Sequence, residues 1–407
     1  MDADVADEMI DRRGPASFAG AATDQHTPRS GVRTGQSSST DTRIAVAELY
    51  SAVEQQDMDL VLFFCSRQYD LAALADEVNR RFAGVHVVGC TTAGEIGPAG
   101  CLDNSISGVS FSAAAFDTVS ATLTDLRRSS ARDAAALTQD LLQRLEQRKP
   151  DASDENTFAL LLIDGLTGRE EPVTRTLQHL LGDIQLVGGS AGDGVRFDEA
   201  LVFADGQFRS DSAVVVLAST SMSFRPFKLQ HFVATAQRVV ITQADGASRT
   251  VTEIDGLPAA TAYADLVDVE IESLGPMLFA AQPMVVLIDG TNYVRSIRSA
   301  NADGSLTFFS SVEEGLVLRS ACGVDIVENL EHGLAEIRES IDQLEVVIGF
   351  DCILRRMEYG RLGLLDRVER SMRANRVVGF NCYGEQYRGV HINQTMTGVA
   401  IGRCADV

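Results

Sequence analysis

The sequence predicts an α/β fold with mixed β-sheets inside and helices outside. Short apolar runs of strand length alternate with longer segments whose apolar residues recur at helical spacing. A strand, a helix and a second strand also recur as a unit three times, each time ending in a glycine-rich loop. Because such units place strands side by side with helices on their faces, we expect sheets covered by an outer layer of helices.

The composition is that of a globular protein large enough for two or three domains or one composite core. The chain has 407 residues and is 45% hydrophobic. Its formal net charge of -22 opposes binding to phosphate backbones or anionic lipid, because no basic segment offsets that charge. Nucleic acid is therefore disfavoured as a partner, and we expect a soluble protein.

Residues 1 to 43 are predicted to be a disordered tail. They are rich in Ser, Thr, Gly and Asp and lack apolar periodicity, so they bury too little surface to offset the entropy of ordering. They also lack the apolar core of a signal peptide, and no run in the chain approaches the roughly 18 apolar residues of a membrane span. We therefore expect a cytoplasmic protein with no membrane insertion.

Seven cysteines are scattered along the chain without a C-x-x-C pair. An odd number at wide spacing disfavours a disulfide framework, a zinc knuckle and covalently attached haem. Several lie in apolar runs such as LVLFFCS, where a thiol behaves as a small hydrophobic group. This pattern is typical of the reducing cytosol.

The three strand-helix-strand copies are separate along the chain. The first reads DLVLFFCS, LAALADEVNRRF and VHVVGCTTAGEIG within residues 59 to 97. The second reads FALLLIDG, PVTRTLQHLLG and IQLVGGSAGDG within residues 158 to 194. The third reads LEVVIGFDC, LGLLDRVERSMRANR and VVGFNCYGEQYRG within residues 344 to 389. The first and third share the spacing V-V-G-x-x-x-x-G-E, which favours a duplicated architecture over chance resemblance.

Strand-like stretches between the copies add further strands. These stretches are rich in β-branched residues and lie at 105 to 116, 212 to 224, 232 to 242 and 283 to 290. The segment after residue 250 predicts a strand, a turn at Asp255-Gly256 and a helix that starts at Pro258. A helical pattern at 324 to 344 precedes the last copy. We expect the chain to divide into two halves near residue 230.

The densest group of side chains suited to a binding site is GFNCYGEQYRGVHINQT, residues 379 to 395. On a strand through VHINQT, His391, Asn393 and Thr395 point to one face because side chains alternate with a period of two. A buried polar row requires partners from the protein, from water or from a ligand. This segment is therefore the first candidate for a binding site.

The glycine loops of the first and third copies form a second candidate. Glycine-rich turns can hold phosphate, but an acid at the rim of each loop, Glu95 and Glu385, would repel it. These acids favour an ammonium group or a hydrogen-bond donor, or they cap backbone amides in their own turns. A ligand site in these loops would include the following glycines, hydroxyls and acids: Gly89, Thr91, Gly94, Glu95, Gly384, Glu385 and Thr395.

His391 is a candidate metal or haem-iron ligand, because a neutral imidazole offers a nitrogen lone pair. The alternative is a structural histidine whose nitrogens are bonded within the protein. His231, before a predicted strand, is the second choice, and the remaining histidines lack the spacing of zinc sites. Cys382 could join His391 and Glu385 as a nucleophile, base and orienting group, but no nucleophile-elbow motif supports such an enzyme.

The motifs VVGCTTAGEIG, FFCSRQYD, IDGLPAATAY and VVGFNCYGEQYRGVHINQT together resemble the FIST sensory domains, in both their N-terminal and C-terminal parts. The resemblance runs from about residue 58 to 403. It implies an N-type domain over residues 44 to 230 and a C-type domain over residues 231 to 407. It also implies a ligand-sensing module, not an enzyme, that signals to a histidine kinase, a diguanylate-cyclase-type protein or a chemotaxis receptor.

The chain is also similar to stand-alone members of the family that bind haem and sense nitric oxide through a partner kinase. That similarity implies haem b as cofactor, with His391 as the iron ligand, His231 as the second choice, and Tyr383, Arg388 and Asn393 beside the macrocycle. Other members bind small molecules such as amino acids, and this alternative stays open. So does the more remote alternative of a cysteine-dependent enzyme. The oligomeric state, including a homodimer, is left open.

Overall fold

The described part of the chain forms three six-stranded sheets and one eight-stranded sheet, with helices packed against them. The structure is a computed structural model that describes residues 31–246, 248–288 and 290–403. Each six-stranded sheet contains one parallel pair of strands within otherwise antiparallel pairing. The predicted α/β fold with mixed sheets and outer helices is therefore confirmed.

The first copy is longer than its sequence pattern indicates, because it begins with an additional strand and helix. Its elements in chain order are β1 (Val32–Ser37), α1 (Thr42–Val53), β2 (Met58–Ser66), α2 (Leu71–Arg81), β3 (His86–Thr92), β4 (Glu95–Gly97), β5 (Gly100–Leu102) and β6 (Ile106–Ser112). Strands β4 and β5 form a hairpin directly after the glycine loop.

The second copy has the same plan, with a longer loop before its hairpin. Its elements are β7 (Phe116–Leu123), α3 (Ala131–Arg148), β8 (Thr157–Asp164), α4 (Glu170–Leu181), β9 (Leu186–Ala191), β10 (Val202–Ala204), β11 (Gln207–Arg209) and β12 (Ala213–Thr220). Helix α3 starts with a capping box, in which Ser130 and Asp133 satisfy each other's backbone amides.

The third copy starts with β13 (Ser223–Gln230) and is interrupted by an inserted segment, residues 232 to 323. The inserted segment contains β14 (Phe232–Asp245), β15 (Thr250–Ile254), β16 (Leu257–Pro258), α5 (Ala259–Val267), a 3-10 turn (Ile271–Ser273), α6 (Pro276–Ala281), β17 (Met284–Ile288), β18 (Thr291–Arg295), β19 (Ile297–Ala300), β20 (Leu306–Phe308) and β21 (Val317–Gly323). It forms the eight-stranded sheet. As predicted, Asp255 and Gly256 turn with positive φ and Pro258 precedes a helix.

The third copy then continues to the C-terminal strand. Its remaining elements are α7 (Ile326–Glu339), β22 (Gln343–Cys352), α8 (Ile353–Arg361), α9 (Leu365–Ala374), β23 (Val377–Cys382), β24 (Glu385–Tyr387), β25 (Val390–Ile392) and β26 (Thr395–Arg403). Strand β13 pairs along its whole length with β26, so the two ends of this copy lie side by side. No helix within the described residues is long and apolar enough to span a membrane.

Each six-stranded sheet is completed by a hairpin from a different copy. The strand orders are β1-β6-β2-β3-β10-β11, β7-β12-β8-β9-β24-β25 and β13-β26-β22-β23-β4-β5. In every case the first four strands come from one copy and the last two form the hairpin of another. Because this exchange is cyclic, it brings together the three loops that lead into the hairpins.

The core follows from the same arrangement. One large apolar cluster contains strand residues of all three copies, such as Leu62, Leu162 and Ile348. The helices cover the outer faces of the sheets. Helix α2, for example, buries Leu74 and Val78 and is capped by the Asp70 side chain, which accepts the amides at its N-terminus.

The prediction of a disordered tail is wrong for residues 31 to 43, while residues 1 to 30 lie outside the described part of the chain. Strand β1 pairs with β6 over six residues, from Val32 to Ser37. Its sequence VRTGQS carries little apolar signal because it is the edge of the sheet, and its inward positions include Gly35, which packs under α1. Edge strands need few apolar side chains, so composition alone does not reveal them.

Candidate functional site

The three glycine loops are hydrogen-bonded to one another where the three sheets meet. Ala93 donates its amide to the Asn381 carbonyl at 2.9 Å, and the Asn381 amide donates to Gly94 at 2.7 Å. The third loop meets the second in the same way, because the Ser190 amide donates to the Gly384 carbonyl at 2.8 Å. The loops therefore form one continuous centre to which every copy contributes.

Tyr383 fills this centre. Its ring is buried, stacks on Phe197 with centroids 4.4 Å apart, and packs with Ala93. Its hydroxyl donates to the carboxylate of Asp193, whose other contacts are three backbone amides of its own loop. Tyr383 therefore locks the second loop to the third, and its side chain has little freedom to meet a ligand.

The two loop glutamates occupy equivalent, fully buried positions. Glu95 accepts the amide of Ser105 at 3.0 Å and its hydroxyl at 2.8 Å. Glu385 accepts three hydrogen bonds: from the backbone amide of Thr395 at 3.1 Å, from the Thr395 hydroxyl at 2.5 Å, and from the thiol of Cys382 at 3.1 Å. Burial raises the pKa of Glu95 to about 7 and that of Glu385 to about 8. Both carboxyl groups close their own loops and are hidden from solvent.

His391 lies beside the third loop in a buried polar group that we call the His391 cluster, made up of Ser190, Arg295, Gln386, His391 and Asn393. The Gln386 amide nitrogen lies 3.1 Å from His391 Nδ1 and donates to Ser190 Oγ at 2.9 Å. Burial lowers the pKa of His391 to about 4, so its ring is neutral at pH 7. Asn393 lies beside His391, since a Cβ added at Gly384 would contact both side chains, and its side-chain oxygen accepts the Ser310 hydroxyl at 2.7 Å.

Arg295, at the end of β18, is the unusual member of the cluster. It is only 7% exposed, and Nη1 donates to the carbonyl of His391 at 3.3 Å. Within the described residues no carboxylate lies within 4 Å of its guanidinium, and Nε has no hydrogen-bond partner. Burial lowers the pKa of Arg295 to about 10, against the opposing effect of Glu171. The side-chain oxygen of Gln386 is also buried without a partner.

The nearby acids already have a basic partner. Arg249 donates to Glu170 at 2.6 Å and to Glu171 at 2.8 Å, and Glu171 also accepts the Ser311 amide at 2.6 Å. These bonds tie α4 of the second copy to the inserted segment. The His391 cluster therefore lies where the third copy, α4 and the inserted segment come together, and Glu171 is not free to neutralise Arg295 by direct contact.

The structure brings some of the sequence candidates together and separates others. His391 and Asn393 are neighbours in the cluster, Tyr383 lies at the centre of the loops, and Thr395 holds Glu385. Arg388 is exposed on the turn between β24 and β25, where Nε donates to Gln185 at 3.2 Å.

The first-copy candidates are structural neighbours of the loop centre. Gly89 lies inside β3, and Thr91 bonds Leu201 through both its amide and its hydroxyl. Gly94 has a φ of 135° and lies against Arg356, whose Nη1 would be 1.6 Å from an added Cβ. This position therefore requires glycine, and Arg356 bridges from it to Asn381 and Asp103.

His231 lies in a different buried group, at the start of β14. Its Nδ1 is 3.2 Å from Arg355 Nη1, and its Nε2 is 3.2 Å from Glu358 Oε2. Arg355 in turn donates to Asp351 at 2.7 Å and to the Tyr359 hydroxyl at 2.7 Å. His231 is thus part of a bonded network that is separate from the His391 cluster.

As placed, these residues do not fit haem. The Nδ1 side of His391 is occupied by Gln386, and an added Cβ on Gly384 would lie 2.6 Å from Nε2, so the backbone covers that side. Both nitrogens of His231 face protein groups. Within the described residues no three His, Cys, Asp or Glu side chains are grouped to hold a metal ion.

Sequence reasoning did not find Arg295, Arg249 or Glu171. Arg295 lies 96 residues from His391 in the chain and is the last residue of the strand TNYVR, a position from which an arginine usually reaches solvent. An arginine within an otherwise apolar pattern is the sequence signal that could have pointed to Arg295. Only the fold, however, shows that this arginine is buried.

These features define a three-copy α/β protein with a buried polar cluster suited to binding. Residues 59–257 match the FIST N domain and residues 259–388 match the FIST C domain. The chain is therefore a FIST-domain protein, as the sequence resemblance predicts. FIST domains are sensory modules of signal transduction, and the chain has that sensory role.

Other comparisons add little. A search of curated proteins finds no match. Among solved structures, the cyanuric acid hydrolase from A. caulinodans is 9% identical, with 92% of this chain and 99% of that chain covered and a TM-score of 0.35. A second cyanuric acid hydrolase structure is 10% identical with the same coverage and TM-score. Likeness at this level carries no argument about activity.

Proposed function

We propose that this FIST-domain protein senses a small polar ligand with an anionic group at the His391 cluster, and passes the signal to a histidine kinase or a related signalling protein. The observation that carries the ligand class is Arg295, a buried guanidinium without a carboxylate partner in the described residues. A free amino acid is the ligand that best satisfies the cluster.

Burying the charge of Arg295 without a carboxylate partner has a high cost in free energy. An arginine side chain stays protonated at neutral pH, so it cannot escape burial by losing its proton. Leaving a buried charge unpaired costs several kcal/mol, and water or a second ion must offset that cost. A ligand carboxylate would supply the missing partner through the paired hydrogen bonds that guanidinium groups favour.

The other end of the ligand is set by Gln386. Its side-chain oxygen is a buried acceptor without a partner, while its nitrogen is held by Ser190 and His391. Arg295 and Gln386 both bond His391, one through its carbonyl and the other through its ring. A ligand with a carboxylate and a nearby ammonium group offers one partner for each, which describes an amino acid.

The position of the cluster supports a sensory role. It joins β24 and β25 of the third copy, α4 of the second copy and the inserted segment, so a ligand there would contact three parts of the molecule. A ligand shifts a conformational equilibrium only when it binds one arrangement more tightly than another. A ligand that contacts several parts of the molecule would bind one arrangement of those parts more tightly than another. A partner protein could then bind differently to the two arrangements.

The test is thermal stability against a panel of amino acids and simple carboxylates. A ligand at 100 times its dissociation constant stabilises the fold by about 2.7 kcal/mol, which gives a clear rise in Tm. We expect Arg295→Met to lose that rise, while Arg298→Gln, an exposed arginine on β19, keeps it. No rise with any compound in wild-type protein, or an equal rise in Arg295→Met, would refute the proposal.

Haem-based nitric oxide sensing, with haem b as in the similar sensor NosP, is the hypothesis that the sequence resemblance implies. When bound, haem would supply an iron that takes up the gas. His391 and His231 would each have to leave their present partners to reach an iron. An absorption spectrum of protein produced with ample haem tests this hypothesis: a Soret band that His391→Ala alters would support it, and a colourless protein would end it.

We propose a binding role for the cluster in preference to catalysis. Burial raises the pKa of the Cys382 thiol well above its ordinary value, and Glu385 nearby acts in the same direction. The thiol donates its hydrogen bond to Glu385, whose pKa of about 8 leaves it mostly protonated at neutral pH, so it cannot take up the thiol proton. Iodoacetamide should therefore leave Cys382 unmodified at neutral pH, and rapid labelling would support the thiol-enzyme alternative.

A further inference from the structure

A surface cleft of about 630 Å³ lies between the first and third copies, and none of its lining residues belongs to the His391 cluster. One wall is formed by β1 and the turn between β4 and β5, which contribute Thr34 and Pro98. The other wall is formed by α9 and the turn that follows it, which contribute Arg370, Arg373 and Arg376. The volume falls in the range of small-molecule sites, roughly 300–1,000 Å³.

The positive charge of this cleft is poorly compensated. The Arg370 side chain makes no hydrogen bond or ion pair with any described residue. Arg373 is 3.9 Å from Glu369, and Arg376 is 3.9 Å from Glu345, distances at which neither makes a hydrogen bond. All three side chains are exposed in a protein whose net charge is -22.

Glu345 does not cancel that charge. It is the carboxylate among the residues that line the cleft, and its Oε1 accepts from Arg403 Nε at 2.6 Å. The last turn of a helix favours basic residues for its dipole, which accounts for Arg373. It does not account for Arg370 one turn earlier or for Arg376 beyond the helix.

Arg376 is also in an unusual conformation. Its φ of 54° is in the left-handed region, where a side chain with a Cβ costs energy and glycine is the usual residue after a helix. An arginine at a site that suits glycine is an observation that favours a role for its guanidinium. Arg376 is one of the residues that line the cleft.

We propose that this cleft binds a small polyanion, of the class of compounds that carry a diphosphate group. Arg370, Arg373 and Arg376 bind the charged group, and the Thr34 hydroxyl lies on the opposite wall. Val32, Val377 and Val378 also line the cleft but are almost fully buried, so binding of the anion depends on the arginines. Because the walls belong to different copies, the bound polyanion links the first copy to the third.

Isothermal titration calorimetry with inorganic pyrophosphate tests this proposal. The titration is done in about 50 mM salt, because exposed charges are screened at higher ionic strength. The main variant is Arg376→Gly, which removes the guanidinium and supplies the residue that the backbone conformation favours, so loss of binding cannot reflect loss of folding. The control is Arg128→Gln, an exposed arginine outside the cleft that carries the same charge.

We expect pyrophosphate to bind wild-type protein, and its Kd to rise about tenfold or more in both Arg376→Gly and Arg370→Gln, with no change in Arg128→Gln. Absence of pyrophosphate binding to the wild-type protein would overturn the proposal. So would an equal weakening in Arg128→Gln, because that result means attraction to charge without a site. Arg295→Met should bind pyrophosphate normally, so this test stands apart from the amino-acid proposal.

Discussion

Arg355 and Arg295 are both buried arginines, but their surroundings differ. Arg355 is fully buried and donates to Asp351 and Tyr359, each at 2.7 Å. Arg295 is almost as deeply buried, and within the described residues it meets only carbonyl oxygens. Asp351 and Tyr359 help to raise the pKa of Arg355, whereas burial lowers that of Arg295 to about 10. Arg355 is explained by its partners in the fold, whereas Arg295 has no carboxylate partner within the described residues.

The largest expected effect is at the paired arginine. Arg355→Met would leave the buried carboxylate of Asp351 without its cation, and breaking a buried pair in this way costs about 3–5 kcal/mol. Chemical denaturation should show this loss in the free energy of unfolding. The control is Tyr359→Phe, which removes one hydrogen bond from the charged guanidinium but keeps the ion pair, and should cost less, about 1.5–3 kcal/mol. If Arg355→Met is as stable as wild type, the ion pair between Arg355 and Asp351 does not stabilise the fold, and the two arginines do not differ in the way described.

The two histidines beside these arginines extend the comparison to pH. The folded pKa of His391 is lowered to about 4 from an ordinary value near 6.5, so the unfolded chain takes up the proton first. The resulting stability is present above about pH 6.5 and is lost as the pH falls towards 4, with a slope of up to about 1.4 kcal/mol per pH unit. His391→Gln should reduce that slope when unfolding is measured by denaturant from pH 7 to 4.

His231→Gln is the matched variant for this measurement. Its histidine is also shifted downward by burial, but Glu358 lies 3.2 Å from Nε2 and favours the charged ring. We therefore expect a smaller change in slope than for His391→Gln. Equal slopes in wild type and His391→Gln would show that this histidine is already solvated in the folded protein, and that the cluster is open.

A smaller effect, of opposite sign, is expected at the unpaired arginine. Arg295→Met removes a buried charge and fills its volume with an apolar side chain, so ligand-free protein should gain about 1–2 kcal/mol. Denaturation in ligand-free buffer measures this difference. A loss as large as that for Arg355→Met would mean that Arg295 already has a strong partner in the protein and needs no ligand to offset its charge.

The sequence predicts much of the fold but less of the site. The three copies can be recognised in the sequence because strand, helix and glycine loop keep their spacing, including the matched pairs Gly94-Glu95 and Gly384-Glu385. The exchange of hairpins among the sheets cannot be predicted from the sequence, because it depends on contacts between segments that are distant in the chain. His391 and Asn393 are found because they are close in sequence, whereas Arg295 reaches them only through the fold.

The smallest effect is expected at Arg388, which sequence similarity associates with a cofactor but which the fold places on an exposed turn. Its φ is 47°, so Arg388→Ala keeps the same left-handed strain and removes only the side chain. Its bond to Gln185 is exposed, so stability should change by no more than about 0.5 kcal/mol and ligand-induced Tm shifts should remain. If Arg388→Ala abolished those shifts, the ligand would lie nearer the β24–β25 turn than Arg295, and the unpaired guanidinium would then belong to a different role.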